Sequence, residues 1–144
     1  MFSPIQPLVT AFMVIATAAV QLLAQVALGR LTLRVPAADA RYLGVVPRQL
    51  MITLIAIAIL TMGHLCQVTI WAIRYYTWGE LGGFFNSFYF SLASFTTVGA
   101  NELALSPAHR VVGAVEAAIG MLMFGWSTAL LVEVINRADR DQAR

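Results

Sequence analysis

The chain has 144 residues, 60% of them hydrophobic and only 11% charged. A soluble domain of that size needs far more polar surface, so the composition excludes one and defines an all-α integral membrane protein. The basic residues number nine, all Arg, and the formal net charge is +2, too weak a balance to imply nucleic acid as a partner.

No side chain before Arg30 is charged, and residues 8–28 are nearly all apolar. That length crosses a hydrocarbon core of roughly 30 Å as a helix. The residues ahead of it carry no basic group, so it reads as a retained span rather than a cleaved signal. Gln21 and Gln25 are four apart, share one face and are expected to turn toward another helix, where their amides find partners. Gly29 is expected to end the helix, giving an N-terminal transmembrane unit over residues 1–29. Residues 30–48 then hold Arg30, Arg34, Arg41 and Arg48 against Asp39, with Pro36 and Pro47 opposing a continuous helix. By the positive-inside rule this basic loop is cytoplasmic, which leaves the N-terminus outside.

The second span is expected over about Gln49 to Ile73. Trp71, Tyr75, Tyr76 and Trp78 cluster at its far end like the aromatic belt of a membrane interface. His64, Cys66 and Gln67 interrupt its middle. With no second ligand at metal spacing, His64 reads as a neutral, hydrogen-bonded packing residue, and Cys66 as a small buried hydrophobe.

Residues 81–101 carry no charge, yet Gly, Ser, Thr and Asn are too frequent there for a lipid-facing helix. A crossing would also put Arg137, Arg140 and Arg144 outside. A segment that enters and returns on one side keeps them inside, and irregular backbone at membrane depth is tolerated when buried in protein or lining an aqueous path. A short helix is expected from Phe84 to Phe95, unwinding over Thr96 to Asn101. The last span begins after Ser106-Pro107 and carries Glu116 along residues 111–132, followed by a short solvated cytoplasmic tail at 137–144. With so short a tail no cytoplasmic ligand-binding domain is expected, and no span carries the arginine repeat of a voltage sensor.

Within this frame, Tyr89-Phe90-Ser91-Leu92 followed by Phe95-Thr96-Thr97-Val98-Gly99 resembles the pore helix and filter of the potassium channel superfamily, the small bacterial two-helix group in particular. Arg110, Gly120 and Gly125 have the spacing of its inner helix, where the first glycine is a gating hinge. Gly63-His64 and Trp71-Ala72 resemble its outer helix. The likeness covers residues 50–136, within a pore domain drawn at 49–136, and places the protein in a bacterial inner membrane.

The resemblance implies three transmembrane helices plus a re-entrant pore helix and filter loop, assembled as a fourfold homotetramer in membrane lipid. One chain supplies one loop, and a dehydrated potassium ion needs rings of oxygens from four. Thr97, Val98 and Gly99 would hold the monovalent cation, with Thr96, Ala100 and Asn101 completing a Thr-Val-Gly-Ala-Asn filter. Ala100 stands where the family has Tyr and Asn101 where it has Gly, so K+ selectivity is expected to be weakened in favour of Na+. Glu102 would ring the outer mouth, or be an ordinary exposed acid. Gly120, Met121, Phe124, Gly125, Thr128 and Val132 would form the hinge and cavity face, or pack on other helices. Glu116, with His64, is a candidate brace behind the filter.

The alternative function is a non-conducting channel-like subunit or scaffold. An enzyme is not expected, because His64 and Cys66 are two apart and cannot share a helix face. No cofactor is expected beyond the permeant cation.

Overall fold

The computed structural model describes residues 5–34, 41–42, 46–100 and 102–142. The described residues form four helices and one small hairpin: α1 (Ile5–Arg34), β1 (Arg41–Tyr42), β2 (Val46–Pro47), α2 (Arg48–Trp78), α3 (Phe84–Phe95) and α4 (Arg110–Gln142). The strands pair antiparallel, Arg41 with Pro47 and Tyr42 with Val46. α1, α2 and α4 contain apolar stretches long enough to cross a membrane, at Gln6–Leu31, Gln49–Trp78 and Arg110–Ala138. At 12 residues, α3 rises only about 18 Å and cannot span one.

α2 is the hub, packing on α1, α3 and α4, while α3 lies against α2 and α4 and α1 reaches α4 beside α2. Two apolar clusters fill the centre. Met13, Trp71, Tyr75, Leu81, Phe90, Leu105 and Val112 form the larger, and Val68, Phe95 and Met123 the smaller. Buried Thr17, Gln21, Gln67, Ser91, Glu116 and Ser127 lie among the packed helices.

The short helix starts and stops for local reasons. A turn with positive φ at Gly79, Gly82 and Gly83 leads into it, and the Ser87 hydroxyl donates back to the Gly83 carbonyl at 2.9 Å. At its far end the Thr96 hydroxyl donates to the Leu92 carbonyl at 2.7 Å, and Thr97 turns left-handed with φ 62°. The bounds are those expected from the aromatic run. The close approach of α3 to α4 depends on Gly120, where a Cβ would stand 2.0 Å from the Phe95 carbonyl oxygen.

Several expectations need correction. α1 continues through Gly29 to Arg34, since one glycine costs a helix interior only about 1 kcal/mol. Trp71 and Tyr75 are fully buried, which leaves Tyr76 as the exposed aromatic of the proposed belt. Cys66 is exposed. α4 begins at Arg110, after Ser106-Pro107 as expected, and its helix extends through the expected tail as far as Gln142. The hairpin was not anticipated. Pro36, Asn101 and the last residues, Ala143 and Arg144, lie outside the described residues.

Gly120→Ala is expected to destabilise the fold by about 1–3 kcal/mol or more, because the new methyl meets backbone. Gly125→Ala, inside α4 with nothing within 4 Å, should keep or slightly raise the thermal unfolding midpoint in detergent, since alanine favours a helix interior by about 1 kcal/mol over glycine. Equal midpoints for the two variants would remove the packing account of Gly120.

Candidate functional site: the loop after α3 and its supports

The polypeptide leaving α3 satisfies its own helix end. Thr96 N–H bonds Leu92 O at 3.0 Å, Thr97 N–H bonds Ser94 O at 2.9 Å and Gly99 N–H bonds Ala93 O at 3.0 Å. The carbonyls of Leu92, Ala93 and Ser94 in the last turn of the helix are thereby occupied. Thr97, at φ 62°, and Gly99, at φ 83°, flank Val98, which stays out of the left-handed region. Among the described residues no donor is bonded to the carbonyls of Thr97, Val98 or Gly99. These three residues are exposed on the protomer.

Of the two adjacent threonine hydroxyls, that of Thr96 is committed to the helix end. Ala100 is half-buried and packs against the larger apolar cluster, as does Leu103, whose N–H bonds Ala100 O at 3.1 Å. Glu102 is exposed.

Behind the loop, Glu116 is fully buried. The Tyr75 hydroxyl donates to its Oε2 at 2.6 Å. The Ser91 hydroxyl lies 2.5 Å from its Oε1 and 2.9 Å from the Val68 carbonyl, with one proton to give to either. One carboxyl group thus joins α4 to the ends of both α2 and α3. His64 is elsewhere. Its Nδ1 lies 3.1 Å from Gln67 Oε1 and its Nε2 3.0 Å from Ser127 Oγ, so the two candidate brace residues belong to separate clusters.

On α4, Met121, Thr128 and Val132 are exposed in the protomer. Phe124 is exposed as well, at 38%, with one side of its ring 4.6 Å from His64 and 5.7 Å from Phe95. It helps line an apolar recess with Thr61, Leu65, Leu92 and Thr96. Gly120 is occupied in packing against Phe95, and Gly125 faces open space.

A further cluster joins the end of α2 to the start of α4. Glu80 accepts from Ser106 N–H at 2.8 Å and from the Ser106 hydroxyl at 2.7 Å, and His109 Nδ1 lies 2.5 Å from the same carboxylate. The His109 ring stacks on Trp78 at 3.9 Å, and the Arg74 guanidinium covers Trp78 at 4.6 Å. Partial burial pushes the Glu80 carboxyl up, but the hydrogen bonds from Ser106 and His109 and the charge of His109 outweigh it, and the group titrates below its ordinary range.

Sequence reasoning singled out Glu116 but not Tyr75 or Ser91 as its partners, and it passed over Glu80, Ser106 and His109. Ser106 and His109 stand three apart, as a helix start would place them. Nothing local to Glu80 announces that pairing.

Three long apolar helices, with a short helix and an exposed loop held between the last two, define a multi-pass membrane protein of pore-module type. A family model described as ion channel matches residues 59–137, more than half of the chain. The chain belongs to that family, and these residues form a pore module of the potassium channel superfamily. No curated protein and no solved structure gives a significant match.

Tyr75→Phe and Ser91→Ala are each expected to lower stability by about 1–3 kcal/mol, since each leaves buried Glu116 short of a donor. The double variant should lose less than the sum, read from unfolding midpoints. For Glu80 the lowered titration point stabilises the fold at neutral pH, and this contribution is lost as acid protonates the carboxylate. The unfolding midpoint of the unmodified chain should fall as pH drops from about 6 to about 3, and Glu80→Gln should flatten part of that slope.

Proposed function

We propose that the protein is a homotetrameric cation channel in which α3 is a re-entrant pore helix and Thr97, Val98 and Gly99 form the ion-binding part of the filter. The observation that carries this reading is a run of three exposed residues, Thr97 to Gly99, whose carbonyls accept from no donor among the described residues, at the C-terminal end of a helix fastened to both neighbours. Backbone carbonyls are obligatory acceptors, and rings of them can replace the hydration shell of a monovalent cation. The C-terminal end of α3 adds a partial negative charge, which favours a cation nearby. The Thr97 hydroxyl, with no bond to another described residue, is suited to the innermost ring, while the Thr96 hydroxyl serves the helix.

The outer half of the filter has less support. Ala100 reaches the apolar cluster but brings only a methyl group to it, where the superfamily filter carries Tyr. K+ selectivity over Na+ is therefore weakened in this reading. Four copies of Glu102 at the outer mouth would concentrate cations. The N-terminus lies outside and the C-terminus inside the bacterial inner membrane, in line with the arginines of residues 30–48 and 137–144.

Reversal potentials under opposed K+ and Na+ gradients test the proposal in liposomes. The unmodified chain is expected to discriminate poorly, and Ala100→Tyr combined with Asn101→Gly to discriminate better. Strong K+ selectivity in the unmodified chain would refute the weakened filter. A purified tetramer passing no monovalent cation would favour the non-conducting subunit instead.

A further inference from the structure

α1 lies outside the region matched by the ion-channel family, yet it is fastened to α4 through buried polar groups. Gln67 Nε2 donates to Gln21 Oε1 at 3.0 Å, and Gln21 Nε2 donates to Ser127 Oγ at 2.9 Å. Ser127 Oγ meets His64 Nε2 at 3.0 Å, and His64 Nδ1 meets Gln67 Oε1 at 3.1 Å. The four side chains close a ring across α1, α2 and α4. Gln21, Gln67 and Ser127 are all buried.

The sense of this ring is fixed from outside it. Gln67 Nε2 also donates to the Thr17 carbonyl at 3.3 Å. A carbonyl can only accept, so the Gln67 amide cannot be reversed. Its Oε1 therefore faces His64, and Nδ1 must carry the proton. In the neutral imidazole Nε2 then accepts, and the single proton of Ser127 goes there. Each member donates to the next and accepts from the previous one, so every bond polarises its successor. Thr17 is itself held, since Trp71 Nε1 donates to its hydroxyl at 2.9 Å and that hydroxyl donates to Met13 O at 2.9 Å.

We propose that this one-way ring makes α1 a positioning element for α4, with Gln21, His64 and Ser127 setting where α4 rests against the rest of the protomer. Ser127 lies about 10 Å along the helix from the Gly120 contact. α4 is thus fastened to α3 at one level and to α1 at another. Relative motion between α4 and α1 has to open the ring, leaving amides unpaired in an apolar interior. The consequence for gating rests on the channel reading above; the consequence for helix position does not.

Three measurements test the proposal. In the unmodified sequence, nitrogen NMR of histidine-labelled protein, with His109 assigned by His109→Gln, should show His64 protonated on Nδ1 and bare on Nε2. The opposite tautomer overturns the ring, whether or not any variant folds.

Spin labels at Leu31→Cys and Asn136→Cys, in a Cys66→Ala background diluted with unlabelled chains, should give one narrow distance. That distribution should broaden with Gln21→Leu or Ser127→Ala. An unchanged distribution overturns the positioning role.

In single-channel recordings, Gln21→Leu and Ser127→Ala should each change open probability at least about fivefold, with unitary conductance and reversal potential unaltered, and the double variant should add little. Altered conductance with unaltered open probability overturns the gating consequence. Absence of any current from the unmodified chain refutes the channel reading, while the NMR and spin-label results still decide the ring.

Discussion

A polar side chain inside a bilayer has no water to bond, so its partner must come from protein. That constraint decides which helix faces meet in this molecule. Apolar packing alone specifies contact poorly in lipid, because the tails are as apolar as the side chains they would displace. Here Glu116, Tyr75 and Ser91 tie three helices together at one level. Gln21, Gln67, His64 and Ser127 tie another three at a second level. The aromatic clusters fill the space between contacts that the polar groups have already set.

The short helix α3 is where both kinds of force converge. It can lie directly on α4 because Gly120 presents no side chain to the Phe95 carbonyl. Ser91, buried on the same helix, reaches toward the Glu116 carboxyl and the backbone of α2. The carbonyls of Leu92, Ser94 and Ala93 in its last turn are taken up by the N–H groups of Thr96, Thr97 and Gly99. The backbone beyond therefore starts from a rigid platform, and the carbonyls of Thr97, Val98 and Gly99 accept from no donor among the described residues. The loop then rejoins the core through Ala100 and Leu103, two anchors of very different size.

Much of this architecture was legible in the chain. Hydropathy located the three spans, and the run of Phe and Tyr after Gly82-Gly83 located α3 to the residue. The amide pair four apart on α1 foretold one polar contact: Gln21 is buried and bonded, whereas Gln25 keeps a buried Oε1 without a partner. What the chain could not show was pairing over distance. Glu116 and Ser91 are 25 apart, Gln21 and Ser127 are 106 apart, and no periodicity links them. The aromatic belt failed for a related reason. Trp71 and Tyr75 have the amphipathic character of interface residues, but each found its hydrogen bond inside, with Thr17 and with Glu116. Asn101 lies outside the described residues.

Both polar clusters draw all their members from one chain. A newly made copy can therefore bury its costly groups as soon as its own helices have inserted, before it meets another copy. What it still shows to lipid at that stage is mostly apolar, with Leu22, Leu23, Met121, Leu122 and Val132 among the exposed residues. Such a surface can wait in a bilayer at little cost. In the proposed tetramer, biogenesis would separate into two stages: each copy would bury its polar groups alone in the membrane, and later encounters would need only match greasy faces around the exposed loop.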